Sequence, residues 1–102
     1  MQEFIKAKQA QIEEVCRAHH VRRLAVFGSA VRDDFDPARS DVDLLVEFQP
    51  ISVQQYFDNK YDLRNSLRTV FDRKVDLLTW NSIRNPYLLR EVETTHELLY
   101  AA

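Results

Sequence analysis

Two aspartates stand two positions apart in a short apolar run, and their spacing is the first indication of chemistry in this chain. The run at 41–46 reads DVDLLV and alternates as a β-strand does, so Asp41 and Asp43 point to the same face. At roughly 6–7 Å and an effective dielectric near 20, two such charges repel by about 2–3 kcal/mol. A divalent cation removes that repulsion, because hard carboxylate oxygens suit Mg²⁺. The alternative interpretation places Asp41 in the preceding loop and Asp43 on a solvated strand edge.

A third carboxylate, Asp76, lies within a second apolar run at 73–79. Its neighbours on either side are apolar and point the other way along a strand. If this run lies beside the strand predicted over 41–48, Asp76 joins the two earlier aspartates on one sheet face. Carboxylates that share two metal ions are the usual device for in-line displacement at phosphorus, so the three together indicate a phosphoryl-type transfer.

The only glycine in the chain, Gly28, follows a strand predicted over 22–27 and precedes Ser29. Free backbone N–H groups at a turn from strand to helix bind anions, and the Ser29 hydroxyl adds a donor. Glycine also lets a phosphate approach the backbone closely. A Gly-Ser pair is common in turns that bind nothing, so it points to phosphate only in combination with the aspartates.

Hydrophobic periodicity predicts the elements that must position these residues. Strands are predicted over 22–27, 41–48 and 73–79, with a short edge strand over 97–101. Helices are predicted over 2–19, 53–70 and 86–94, with a brief helix over 29–33. Ser52 with Gln55 predicts a capping box at the start of the long helix, and Asn85 before Pro86 predicts the start of the last one. Alternating helices and strands indicate an α/β fold, in the order α-β-α-β-α-β-α, within a single domain over 1–102.

Composition and charge exclude several classes of function. The 102 residues include 14 Lys and Arg and 16 Asp and Glu, for a net charge of -2. This balance argues against binding nucleic acid mainly by charge, and we expect no direct nucleic-acid partner. No stretch approaches the ~20 apolar residues of a membrane span, and the N-terminus lacks the apolar core of a signal peptide. Cys16 is the only cysteine, so no intrachain disulfide can form, and we expect a cytoplasmic location.

Together these motifs resemble the nucleotidyltransferase superfamily of DNA polymerase β type, and within it the minimal nucleotidyltransferases, or MNT proteins. The family pattern is Gly-Ser, a spacer, Asp-X-Asp and a later third Asp. Here the signatures read FGSAVR at 27–32 and SDVDLLV at 40–46, with the third aspartate at position 76. The resemblance covers about 20 to 80, and the final helix also fits. It implies a minimal nucleotidyltransferase core, a small mixed β-sheet packed with helices.

One position departs from the family pattern. Many relatives have glycine after the arginine that corresponds to Arg32, whereas this chain has Asp33. The departure predicts a differently shaped loop over 33–40. Asp33 and Asp34 also add negative charge near the expected phosphate site.

The resemblance also implies a role for each motif residue. The carboxylates expected to ligate two Mg²⁺ ions and to carry catalysis are Asp41, Asp43 and Asp76. The residues expected to hold and position the phosphates of ATP are Gly28, Ser29, Arg32 and Ser40. The implied reaction is attack of a hydroxyl on the α-phosphorus with release of pyrophosphate.

The size of the chain indicates where the acceptor comes from, because nearly all its length is spent on the core. Stand-alone MNT proteins resemble the antitoxin half of HEPN–MNT toxin–antitoxin pairs, in which AMP is added to a tyrosine of a HEPN ribonuclease toxin. One alternative is a non-catalytic antitoxin that silences its partner by binding. Its interface would use large side chains most of which we expect in the core: Tyr56, Phe57, Tyr61, Tyr87, Leu98 and Tyr100. A second alternative is an enzyme with a small-molecule acceptor such as an aminoglycoside.

Overall fold

The computed structural model describes residues 2–31, 36 and 41–102. Arg32, Asp33 and Ser40 therefore lie outside the described residues. The helices are α1 (Glu3–Lys6), α2 (Gln9–Ala18), α3 (Val53–Phe71) and α4 (Pro86–Thr95). The strands are β1 (Val21–Phe27), β2 (Val42–Phe48), β3 (Val75–Thr79) and β4 (Glu97–Ala101). Short 3₁₀ turns follow β1 and β3, at Gly28–Val31 and Trp80–Ser82.

The four strands form one mixed sheet in the order β3-β2-β1-β4. β1 is antiparallel to both of its neighbours, whereas β2 and β3 are parallel. A parallel pair needs a long crossover between its strands, and α3 supplies it. The sheet confirms the expected α/β fold and the expected side-by-side placement of the strands predicted over 41–48 and 73–79. β4 confirms the edge strand expected over 97–101.

The core occupies both faces of this sheet. On one face, buried side chains of α1, α2 and α3 meet those of the strands, Leu44 of β2 among them. On the other face a smaller cluster joins Leu45 to Val92 of α4. The alternation of β2 explains the division, because consecutive residues of a strand point to opposite faces. Asp43 shares the face of Leu45, so it lies on the side of the sheet away from α1, α2 and α3.

Both predicted helix starts are confirmed. The Ser52 hydroxyl accepts a hydrogen bond from the backbone N–H of Gln55 at 3.2 Å, and the Gln55 side chain accepts one from the backbone N–H of Ser52, which completes the capping box. Asn85 Oδ1 accepts from the backbone N–H groups of Tyr87 at 2.9 Å and Leu88 at 3.3 Å. These caps satisfy backbone donors that the first turn of a helix would otherwise leave without a partner.

The single helix predicted over 2–19 is wrong, because the chain turns between α1 and α2. The Lys8 N–H bonds to the carbonyl of Ile5 at 3.0 Å, a tighter turn than that of an α-helix. Before the turn, the Phe4 ring meets the Phe71 ring edge-on, with 6.2 Å between centroids. Packing against α3 therefore overrides the local periodicity.

The brief helix predicted over 29–33 is observed as a 3₁₀ turn that begins at Gly28 and extends to Val31 in the described residues. A separate observation concerns membranes. No helix within 2–31 or 41–102 is both long enough and apolar enough to cross a bilayer.

Candidate active site

Two of the predicted carboxylates lie side by side in the sheet. The parallel register pairs Asp43 of β2 with Asp76 of β3, and the antiparallel register pairs Asp43 with Phe27 of β1. Paired residues on neighbouring strands point to the same face, about 4.8 Å apart along the hydrogen-bonding direction. Asp43 is half-buried and Asp76 is exposed. This row of paired residues therefore presents two carboxylates on one face of the sheet. The more exposed one, Asp76, lies on the edge strand.

Asp41 comes just before β2 and is held from the β3 side. Its Oδ2 lies 3.8 Å from Nζ of Lys74, and the backbone N–H of Val42 bonds to the carbonyl of Lys74 at 3.1 Å. Among the described residues, no group of three His, Cys, Asp or Glu side chains is arranged to hold a metal ion. The structure thus unites Asp43 with Asp76 and leaves Asp41 just before β2, paired with a lysine.

Glycine is required at position 28 because the backbone there closely approaches Asp43. Its φ is +69°, a left-handed conformation that side chains rarely adopt. A Cβ placed on this residue would lie 2.5 Å from Oδ2 of Asp43. Any other residue here would be strained in its backbone and would displace the carboxylate. The only glycine of the chain is therefore what allows the turn after β1 to approach the Asp43 carboxylate.

Ser29 follows in the same 3₁₀ turn and is half-buried. The turn and the aspartates meet at one end of the sheet, because the end of β1 pairs with the start of β2. Gly28, Ser29, Asp43 and Asp76 thus lie at one end of the sheet, and Asp41 stands just before β2 with its carboxylate paired to Lys74. The roles predicted for Arg32 and Ser40 stay predictions, since both lie outside the described residues.

A cavity of about 490 Å³ opens beside this row of carboxylates. One wall carries Asp43 and Asp76, and another comes from α3, including Lys60 and Arg64. Residues from both faces of β3 line the cavity. Leu77 faces the larger core, whereas Asp76 faces the opposite side of the sheet. The cavity therefore lies around β3, the edge strand of the sheet.

The expectation that most of the large side chains of α3 and the C-terminal segment lie in the core is wrong. Phe57 is 72% exposed and Tyr61 is 59% exposed, and Tyr87 and Leu98 are also exposed. Within α3, side chains at spacings of three and four form a line in which the apolar members are exposed and the cations are half-buried. We call this line the α3 stripe; its members are Val53, Phe57, Lys60, Tyr61 and Arg64.

Sequence analysis missed the two cations of the α3 stripe, Lys60 and Arg64. Helical spacing alone could have placed them beside Phe57 and Tyr61, because residues three and four apart share a helix face. Nothing in the sequence showed which flank of α3 would lie along β3. The path of the crossover from β2 to β3 determines which flank of α3 lies along β3, and that path is set by the whole fold.

Comparisons with known proteins show the family of this chain. A family model described as "Nucleotidyltransferase domain" matches residues 8–99. Two relatives from Methanocaldococcus jannaschii, each named "Putative protein adenylyltransferase", are 34% identical to this chain over 100 residues. Each alignment covers 89% of this chain and 95% of the relative.

Three solved structures share the fold. The crystal structure of a toxin–antitoxin with AMP-PNP matches with a TM-score of 0.65 at 20% identity, over 92% of this chain and 73% of that one. A tri-AMPylated Shewanella oneidensis HEPN toxin in complex with MNT antitoxin matches with a TM-score of 0.63 at 19% identity, over 96% and 73%. A "putative minimal nucleotidyltransferase" matches with a TM-score of 0.62 at 25% identity, over 93% and 92%.

Proposed function

Because this chain belongs to the nucleotidyltransferase domain family, we propose that it transfers AMP from ATP to a hydroxyl of a partner protein. The observation that carries the proposal is the fit between Gly28 and the row of Asp43 and Asp76. The relatives at 34% identity carry the name of protein adenylyltransferases, which supports a protein acceptor. A structural neighbour that is an AMPylated HEPN toxin in complex with an MNT antitoxin supports a HEPN-type toxin as the partner. We propose a tyrosine of that partner as the acceptor.

In this proposal the turn after β1 holds the nucleotide phosphates. The left-handed Gly28 carries no side chain that would separate its backbone from a phosphate, and Ser29 offers a hydroxyl donor. Arg32 and Ser40 are proposed to position the nucleotide further. An oriented triphosphate beside the carboxylates lowers the barrier mainly by positioning, as in other phosphoryl-type transfers.

The carboxylates suit Mg²⁺ by donor chemistry, although no three of them are arranged around one point in the described residues. Oxygen ligands are what Mg²⁺ prefers, and the missing Cβ of Gly28 leaves room around Oδ2 of Asp43. Asp41, Asp43 and Asp76 would hold the ions, which neutralise phosphate charge when bound. To join the site, the Asp41 carboxylate must exchange its Lys74 partner, 3.8 Å away, for a metal ion.

The proposed transfer needs no reagent other than ATP and the acceptor hydroxyl. The acceptor oxygen forms a bond to the α-phosphorus, and the bond from that phosphorus to the bridging oxygen of the β-phosphate breaks. Pyrophosphate leaves, and AMP stays on the acceptor. The hydroxyl proton passes to Asp76, which is exposed and can release it to water.

A second candidate function is inhibition of the partner protein by binding alone, and one observation favours it. Phe57 and Tyr61 are exposed on α3 and could contact a partner without any transfer. This function and catalysis predict different outcomes for variants that lose the carboxylates and keep α3.

The test is transfer of label from ATP in the presence of Mg²⁺ and a HEPN-type partner. We expect label from the α-phosphate to appear on the partner and label from the γ-phosphate to be absent. The Asp41→Asn, Asp43→Asn double variant should lose at least 100-fold in rate. The matched control is Asp58→Asn, Asp62→Asn, which changes two exposed aspartates of α3 outside the site. Transfer of the γ-phosphate, or full transfer by the Asp41→Asn, Asp43→Asn variant, contradicts the proposal.

A further inference from the structure

The order of the strands fixes the side from which an acceptor must approach. The phosphate-binding turn follows β1, Asp43 lies on β2, and Asp76 lies on β3 at the sheet edge. In an in-line displacement the attacking oxygen and the leaving group stand on opposite sides of the phosphorus. If pyrophosphate leaves toward β1, the acceptor hydroxyl arrives over β3. The cavity of about 490 Å³ lies around that same edge.

The α3 stripe extends this opening into an apolar surface. Val53, Phe57 and Tyr61 are spaced four residues apart, so they lie along one line of the helix. Their exposed fractions are 77%, 72% and 59%. Phe57 and Tyr61 also line the cavity that holds the carboxylates. Exposed aromatic side chains that continue into a catalytic cavity are typical of a surface that contacts a macromolecule.

The charge of the stripe specifies what kind of segment fits. Lys60 and Arg64 stand in the stripe and line the same cavity. The Arg64 guanidinium lies 5.5 Å from the centroid of the Tyr61 ring, and its Nε is buried with no hydrogen-bond partner in the part of the chain that the structure describes. Asp58 and Asp62 are on the other flank of the helix by its 100° rotation per residue. The flank along β3 is therefore cationic, and it complements an acidic segment.

We propose that the α3 stripe is the docking surface for the protein acceptor, and that it binds an acidic segment that carries the acceptor hydroxyl. The aromatic side chains bind the apolar part of that segment, and Lys60 with Arg64 binds its carboxylates. The hydroxyl then enters the cavity from the β3 edge. The inference rests on the proposed function for the identity of the reaction, and its test separates the two.

The test compares two tyrosine polymers, a random copolymer of Glu and Tyr and one of Lys and Tyr. Binding is measured by fluorescence anisotropy with labelled copolymer, and transfer is measured with ATP labelled at the α-phosphate. We expect the Glu–Tyr polymer to bind at least 10-fold tighter than the Lys–Tyr polymer. Lys60→Glu, Arg64→Glu should reverse that preference, and Phe57→Ala, Tyr61→Ala should weaken binding of the Glu–Tyr polymer about 10-fold.

Matched controls alter the same residue types elsewhere. Tyr87→Ala removes a tyrosine that is 83% exposed on α4, and Arg84→Glu, Arg90→Glu reverses two exposed cations outside the stripe. Both controls should bind either polymer as the wild type does. Circular dichroism and thermal unfolding verify that every variant is folded before its binding is compared.

Each outcome decides the inference. Loss of polymer binding in the stripe variants alone supports it, and absence of transfer by the wild type then refutes only the proposed reaction. It is overturned if the stripe variants keep wild-type binding, or if the wild type binds neither polymer. It is also overturned if these variants weaken AMP-PNP binding instead, which makes the cavity a nucleotide subsite. Conversion of a wild-type dimer to a monomer by Phe57→Ala, Tyr61→Ala overturns it too, because the stripe then binds a second copy.

Discussion

At the scale of single residues, position 28 is the place in the site with the strictest requirement for one residue type, glycine. Alanine there must adopt a φ of +69° and push a Cβ to 2.5 Å from Oδ2 of Asp43. We expect Gly28→Ala to lower the free energy of unfolding by about 1–2 kcal/mol, the usual cost of a left-handed residue. Because the carboxylate must move as well, AMP transfer should fall at least 100-fold. Urea denaturation and initial rates measure the two effects.

The comparison for Gly28→Ala is Ser29→Ala, which removes a hydroxyl and adds no atom near Asp43. We expect Ser29→Ala to raise the KM for ATP while changing the free energy of unfolding by less than about 0.5 kcal/mol. If Gly28→Ala has wild-type stability and activity, the close approach of this turn to Asp43 is not required.

Cys16 gives a prediction that depends on pH. Burial raises the pKa of its thiol from 9.0 to about 12, so the folded thiol stays protonated well above the pH at which an unfolded one ionises. The stability from this group is complete below pH 9 and is lost as the pH rises toward 12. At pH 8.5 we expect iodoacetamide to alkylate the folded protein at least 100-fold more slowly than the urea-unfolded chain. Equal rates would show that the thiol is accessible.

At the scale of elements, the N-cap of α4 supports the face that carries the carboxylates. Asn85 Oδ1 accepts from two backbone N–H groups, and α4 places Val92 against Leu45 on the face of Asp43. We expect Asn85→Ala to lower the free energy of unfolding by about 1 kcal/mol, the typical value for a lost cap. Asn81→Ala, in the exposed turn after β3, is the control and should be near neutral. A similar loss in both variants would contradict a capping role.

The sequence predicted elements well where one local pattern was long and uninterrupted. The helix predicted over 53–70 is observed as Val53–Phe71, and the strand predicted over 41–48 as Val42–Phe48. The turn between α1 and α2 was not predictable, because it depends on Phe4 packing against Phe71 from the far end of α3.

The site shows the same division between local and long-range information. Gly28 and the aspartates could be proposed as site residues from residue type and spacing. The pairing of Asp43 with Asp76 could be predicted only on the condition that their strands are neighbours, since the sequence of neither strand determines the strand order of the sheet. The expectation that most of the six large side chains lie in the core was wrong, because an aromatic residue at helical spacing, such as Phe57, fits a core equally well until the neighbouring strand is known.

At the scale of the whole molecule, β4 closes the outer side of the strand that leads to Gly28. Leu99 is buried, and the N–H of Ala102 bonds to the carbonyl of Arg22 at 2.8 Å. Removal of 97–102 should lower the free energy of unfolding by at least about 2–5 kcal/mol, the range for one truncated core leucine, because the backbone pairing with β1 is lost as well. It should also expose the edge of β1 to self-association, which light scattering detects. The control is Leu98→Ala, which truncates an exposed side chain of β4 and keeps the strand, and it should leave a monodisperse protein.

The position of β4 also has a consequence for the synthesis of the protein. β1 is made early, yet its neighbour on one side is supplied by residues 97–101, more than seventy positions later. A nascent chain can pair β1 with β2 and then β2 with β3 as each strand emerges. The strand leading to Gly28 keeps an open edge throughout that period. The strand that leads to Gly28 is therefore made well before the segment that covers its outer edge.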